Sequence, residues 1–155
     1  MRYVLAAAAF LLAPAGTPAA AELVTAKDPR KIAALLTERG YKAELIDTKD
    51  GTYIRSADSG VPVSIFFLNC SNKTDCTTIQ FYTGFSDLGT VSLSTINSWN
   101  REHRFARAYI DVEGDPVIEM DVDMDANGLD RANFYSNFDI FLASIPQFRE
   151  HLAKQ

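Results

Sequence analysis

The sequence predicts an α+β fold, an antiparallel β-sheet with helices packed on it, in the order α-β-β-β-β-α-β-β-α. Three observations predict it. Six runs are rich in β-branched and aromatic residues, and several of them alternate with period two. Short turns join most neighbouring runs, too short for the crossovers that a parallel sheet needs. Three further stretches carry apolar residues at helical spacing with start and stop signals at their ends.

The first helix is expected in "DPRKIAALLTERG". Asp28 stands at the N-cap, Pro29 in the first turn and Gly40 just past the end, while Ile32, Leu35 and Leu36 share a face. Four strands follow, over Tyr41–Asp47, Thr52–Ala57, Val61–Asn69 and Thr77–Phe85. Asp50-Gly51 marks the first turn, Ser59-Gly60 with Pro62 the second, and the Cys70–Cys76 segment the third. In "VPVSIFFLN" both alternating sets are apolar, Val63, Ile65 and Phe67 on one face and Phe66 and Leu68 on the other. Such a strand is expected to be covered on both sides, by a helix or by another subunit. The helix in "SLSTINSWNREH" takes Ser92 as N-cap and places Leu93, Ile96, Trp99 and His103 along one stripe. Two strands, Phe105–Val112 and Val117–Met124, are joined through Glu113-Gly114-Asp115. The last helix starts near Arg131 with Phe134, Phe138, Phe141, Leu142 and Ile145 on its face, and Pro146 is expected to kink or end it.

The stretch "DVDMDANGLD" invites a calcium-loop reading. From Asp123, the positions Asp125, Asn127 and Gly128 fit the start of such a loop, but the twelfth position is Phe134, which cannot ligate. The strand reading accounts for more. Ile118, Met120, Val122 and Met124 form the apolar set, and Glu119, Asp121, Asp123 and Asp125 form an acidic set in solvent. Asn127-Gly128 is then a turn and Asp130 the N-cap of the last helix. In the preceding strand Ala106, Ala108, Ile110 and Val112 face the core, while Phe105, Arg107, Tyr109 and Asp111 face outward. Arg107 is expected opposite or diagonal to Asp121 and Asp123, relieving their repulsion.

The N-terminus, "MRYVLAAAAFLLAPAGTPAAA", has the charge, apolar run and small-residue end of a secretory leader over residues 1–21, with cleavage after Ala21. The apolar run falls short of the about 20 residues that span a bilayer, so no membrane span is expected after cleavage. Residues 22–155 then form one domain in the periplasm or the medium. The formal net charge of −5 becomes more negative by one without Arg2, which argues against nucleic-acid binding. Cys70 and Cys76, the two cysteines of an exported chain, are expected to form a disulfide. Neither histidine, His103 or His151, lies near them in sequence, so a metal pair is disfavoured. Asn69-Cys70-Ser71 and Asn72-Lys73-Thr74 fit the glycosylation acceptor pattern, which matters only for a eukaryotic source.

"INSWNREHRFARAYID", Ile96 to Asp111, followed by an acidic strand, Gly128 and a helix, resembles the YbjN family of bacterial proteins. Trp99 and Asn100, the run Arg104–Arg107, Tyr109 and the glycine carry the match. The resemblance implies an α+β fold similar to type III secretion chaperones and a role as a sensory-transduction regulator. It carries over no catalytic residues, since none are established for the family. The leader and the cysteine pair set this chain apart from the family's simpler members and point to the envelope rather than the cytoplasm.

The reading that results is an exported, non-catalytic binding or regulatory module without a cofactor, acting as a homodimer or on another envelope protein. Trp99, Asn100, Arg104, Arg107, Phe66 and Leu68 are the candidate partner-binding residues. For each there is a plainer role. Trp99 suits the core, Asn97 and Asn100 suit helix-to-strand hydrogen bonds, and Arg101, Arg104 and Arg107 suit pairing with the acidic hairpin instead of an anionic ligand. A divalent-cation sensor using Asp121, Asp123, Asp125 and Asn127 is the first alternative. An enzyme is the second, disfavoured because no nucleophile motif or phosphate loop is present and both cysteines are expected to pair.

Overall fold

The computed structural model describes residues 23–86 and 88–154; the expected leader lies outside them. The elements are β1 (Leu23–Val24), α1 (Pro29–Glu38), β2 (Glu44–Thr48), β3 (Gly51–Asp58), β4 (Val61–Leu68), β5 (Thr78–Gly84), α2 (Leu93–Glu102), β6 (Arg107–Ile110), β7 (Pro116–Asp123), β8 (Leu129–Asp130) and α3 (Arg131–Leu152). Six strands form one antiparallel sheet in the order β2-β3-β4-β5-β7-β6, and β1 pairs with β8 in a small second sheet. The expected α+β class and antiparallel sheet hold; the two-residue strands β1 and β8 are additions.

Local chemistry sets the helix ends. Asp28 accepts hydrogen bonds from the backbone N–H groups of Arg30 and Lys31, each at 3.1 Å. The C-terminus of α1 closes as a Schellman motif: Tyr41 N–H donates to Leu36 O at 3.0 Å and Gly40 N–H to Thr37 O at 2.9 Å, with Gly40 at φ 86°. Ser92 and Asp130 cap α2 and α3 through the N–H groups of Thr95 and Asn133. Pro146 neither ends nor breaks α3, which continues to Leu152. An interior proline costs about 3 kcal/mol. Beyond it, however, Phe148 and Leu152 are buried, with Phe148 against Phe85 and Trp99, and each such burial stabilises by about 1.5–3 kcal/mol.

The core lies on one face of the sheet. Ile54, Val63, Ile65, Ile79, Phe81, Ile118, Met120 and Val122 point to that face and meet Ile32 and Leu36 of α1 and Phe134, Phe138 and Phe141 of α3. The rings of Phe81 and Phe138 lie 5.3 Å apart, those of Phe81 and Phe141 5.6 Å. Cys70 and Cys76 form a disulfide across the tip between β4 and β5. Among the described residues no helix is long and apolar enough to cross a membrane.

Several side chains lie elsewhere than the alternation predicts. Val112 is 97% exposed and Leu93 is 69% exposed. β6 stops at Ile110, and Asp111 Oδ1 accepts from the N–H groups of Glu113 and Asp115, turning the chain before Val112 can reach the core. Phe105 precedes β6, with φ 72°. Glu119, expected in solvent beside Asp121 and Asp123, is only 3% exposed. At Glu119 strand β7 is flanked on both sides, by Tyr82 of β5 and Arg107 of β6; Asp121 and Asp123 lie beyond the start of β6 and stay wet. The partner of Arg107 is accordingly Glu119, not Asp121 or Asp123, because the turn spans residues 111–115 and sets that register.

Candidate partner-binding surface

The residues singled out in the sequence fall into two groups. Trp99 and Asn100 are tied into the fold. Trp99 is 1% exposed and its indole N–H donates to Ala106 O at 3.1 Å. The Asn100 amide donates to Ala108 O at 2.9 Å and accepts from Ala108 N–H at 2.8 Å, so one side chain satisfies both backbone groups of a residue on edge strand β6. Together they fasten α2 along the edge of the sheet and occupy hydrogen-bonding positions that another strand would use. Arg104 is exposed and lies 5.1 Å over the Phe105 ring.

Phe66, Leu68 and Arg107 belong to the sheet face opposite the core. No described helix packs there. At one level, paired neighbours across the sheet read Ile46, Tyr53, Phe66, Gln80 and Asp121. The next level reads Glu44, Arg55, Ser64, Tyr82, Glu119 and Arg107. Phe66 lies between two tyrosines, 5.3 Å from Tyr53 and, edge-on, 5.6 Å from Tyr82. All three rings are half-buried by their neighbours alone. Tyr53 and Tyr82 were missed in the sequence. Phasing β3 and β5 against their buried members, Ile54 and Phe81, would have found them.

At the β7–β6 end a polar cluster closes the face. The buried Glu119 carboxylate pairs with Arg107 through one oxygen and accepts from Tyr109 Oη at 3.0 Å through the other. Burial, then the hydrogen bond to Glu119, raises the Tyr109 phenol to about 12. Burial also raises Tyr82, reinforced by Asp111 and Glu119. At the other end Arg55 lies 3.6 Å from Glu44. Each acid of the 121–125 stretch has a local hydrogen bond: Asp121 accepts from Gln80 at 2.8 Å, Asp123 from Asp125 N–H at 2.9 Å and Asp125 from Ala126 N–H at 2.7 Å. No group of three or more His, Cys, Asp or Glu among the described residues is arranged to hold a metal ion.

A groove of about 590 Å³ between α2 and α3 brings Ser98 and His151 together. His151 Nε2 is 2.9 Å from both Ser98 Oγ and the carbonyl of Thr95, and Ser98 Oγ itself donates to that carbonyl at 2.8 Å. A ring nitrogen against a carbonyl is a donor, so Nε2 carries the hydrogen and is not a base for the hydroxyl. His103 stacks on Trp99, with centroids 3.7 Å apart. The arrangement locks the two helix ends together.

The model of the YbjN family, described as "Putative bacterial sensory transduction regulator", matches residues 28–154. No curated protein and no solved structure matches the chain. The matched span contains both the α2–β6 fastening and the open sheet face.

Proposed function

We propose, from the premise that this chain belongs to the YbjN family, that it is an exported, non-catalytic regulatory module that docks a protein partner on the open face of its sheet. The observation that carries this reading is the aromatic row Tyr53–Phe66–Tyr82 on a face where no described helix packs. Aromatic rings ringed by paired charges are the composition of interface centres. The family's description as a regulator and not an enzyme is in keeping with it, as is the histidine already committed to a backbone carbonyl. The leader-like N-terminus and the Cys70–Cys76 disulfide support export to the periplasm or medium.

Photo-crosslinking in the cell of origin tests the docking face. With p-benzoylphenylalanine at Phe66, a protein adduct is expected; with the same probe at Ser136, on the outer side of α3, none is expected. Absence of an adduct from Phe66, or equal adducts from both sites, overturns the reading. Intact-mass measurement of the exported chain is expected to give Glu22 as its first residue.

A further inference from the structure

We infer that the Cys70–Cys76 disulfide is a redox latch: a dithiol reductant opens it, and the tip between β4 and β5 then moves off the cavity that it walls. The inference stands apart from the docking face, because the cavity lies on the core side of the sheet, where Leu45 and Phe67 pack.

The tip is held against the preference of its own backbone. Thr74 N–H donates to Ser71 O at 3.1 Å, so Asn72 and Lys73 are the central residues of a tight turn, with φ 53° and 65°. A turn with both central φ positive favours Asn-Gly, and here a lysine stands in the glycine's place. Asn69 and Asp75, on either side, also lie at φ 53°. Left-handed backbone is uncommon for residues that carry a side chain, yet four of the seven residues 69–75 adopt it. No apolar contact compensates, since Ser71 to Asp75 are all exposed and none belongs to the core.

Two polar tethers leave the tip. Lys73 Nζ donates to the Lys49 carbonyl in the β2–β3 turn, and Asp75 pairs with Lys27 ahead of α1 at 2.9 Å. The side chains of that ion pair are 58% and 54% exposed, so it holds little by itself. The covalent link is what keeps the tip closed.

Lys73, Thr74 and Asp75 wall a cavity of about 310 Å³ whose apolar lining is Ala26, Leu45, Phe67 and Cys76. Without the link that wall relaxes and the apolar lining meets water. Below it the hairpin stays paired, because Ile65, Ile79 and Phe81 are fully buried. The opening is local.

The exchange balances with a dithiol. Cys70 is half-buried whereas Cys76 is 4% exposed, so the incoming thiolate attacks the Cys70 sulfur. A bond forms between the donor sulfur and Cys70, the Cys70–Cys76 bond breaks, and the electron pair leaves on Cys76, which takes a proton from water. Lys27 and Lys73 line the same cavity as Cys76 and favour that thiolate. The donor's second thiolate then attacks the donor sulfur of the mixed disulfide, and Cys70 is released and protonated. Two electrons pass; the donor ends as a disulfide and the chain as a dithiol.

Dithiothreitol on the native chain tests this. Alkylation without denaturant is expected to label both cysteines, with the far-UV spectrum unchanged. The N–H groups of Thr74 and Thr77, bonded to Ser71 O and Leu68 O, should exchange about tenfold faster or more by NMR, while those of Ile79 and Phe81 keep their rates. Reoxidation should restore the slow rates. A Cys70→Ser, Cys76→Ser double variant should show the fast rates with or without dithiothreitol. Cysteines that react only in denaturant overturn the inference. So does reduction that unfolds the whole chain, or exchange at Thr74 and Thr77 that is the same before and after reduction.

Discussion

Glu119 is the residue whose placement organises the open face. A carboxylate this buried needs partners, and it has a guanidinium and a phenol, from Arg107 and Tyr109 of the adjacent strand. Arg107→Ala leaves the charge with one neutral partner, and a loss of about 1–3 kcal/mol in urea denaturation is expected. Tyr109 gives the cluster a signature in alkali. Its phenol is raised to about 12 in the fold, above the unfolded value of about 10. A group raised in the folded state contributes stability that is complete below its unfolded pKa and lost as pH rises through its folded one. Stability should therefore decline between about pH 10 and pH 12, and Tyr109→Phe should flatten that decline; an unchanged profile in the variant would show that another group is responsible. Gly128 is a second residue with no freedom to vary. It has φ 79°, and an added Cβ would lie 2.2 Å from the Val24 carbonyl oxygen. Gly128→Ala must separate β1 from β8 and is expected to lower stability by about 2 kcal/mol or more in thermal or urea unfolding.

Among the elements, the legible ones were those whose signal is local. Asp28, Ser92 and Asp130 cap α1, α2 and α3 because a short side-chain acceptor beside free N–H groups needs nothing from the rest of the fold. Asp50-Gly51 marks the β2–β3 hairpin for the same kind of reason. The acidic stretch read as a strand is a strand as far as Asp123. What the sequence hid depends on neighbours from far along the chain. Period two cannot say that Glu119 is flanked on both sides and Asp121 on one, nor that packing against Trp99 and Phe85 carries α3 past Pro146. The Trp99-Asn100 pair is the opposite case, visible as a motif but with its role settled only by β6. Asn100→Ala would leave the N–H and C=O of Ala108 uncovered on an edge strand. A loss of about 1–3 kcal/mol is expected, along with more aggregation on heating, measured by light scattering. Asn100→Asp keeps the acceptor for Ala108 N–H but faces a carboxylate to Ala108 O, so it should rescue little.

At the scale of the whole molecule, the sheet is one layer with two unlike faces. The sequence indicated that β4 is apolar on both sides without indicating that the described helices meet one side alone, because the answer depends on where α1 and α3 lie and on the order β4-β5-β7-β6. The two faces can be told apart by equivalent substitutions. Phe81 is 0% exposed between α3 rings, so Phe81→Ala removes a packed ring from an enclosed core and should cost about 3–5 kcal/mol. Phe66 is half-buried between two tyrosines of its own face. Phe66→Ala should cost less than half as much, measured by urea denaturation, because the ring leaves behind a surface open to water instead of a cavity. Equal costs for the two phenylalanines would mean that the second face is closed within the chain itself.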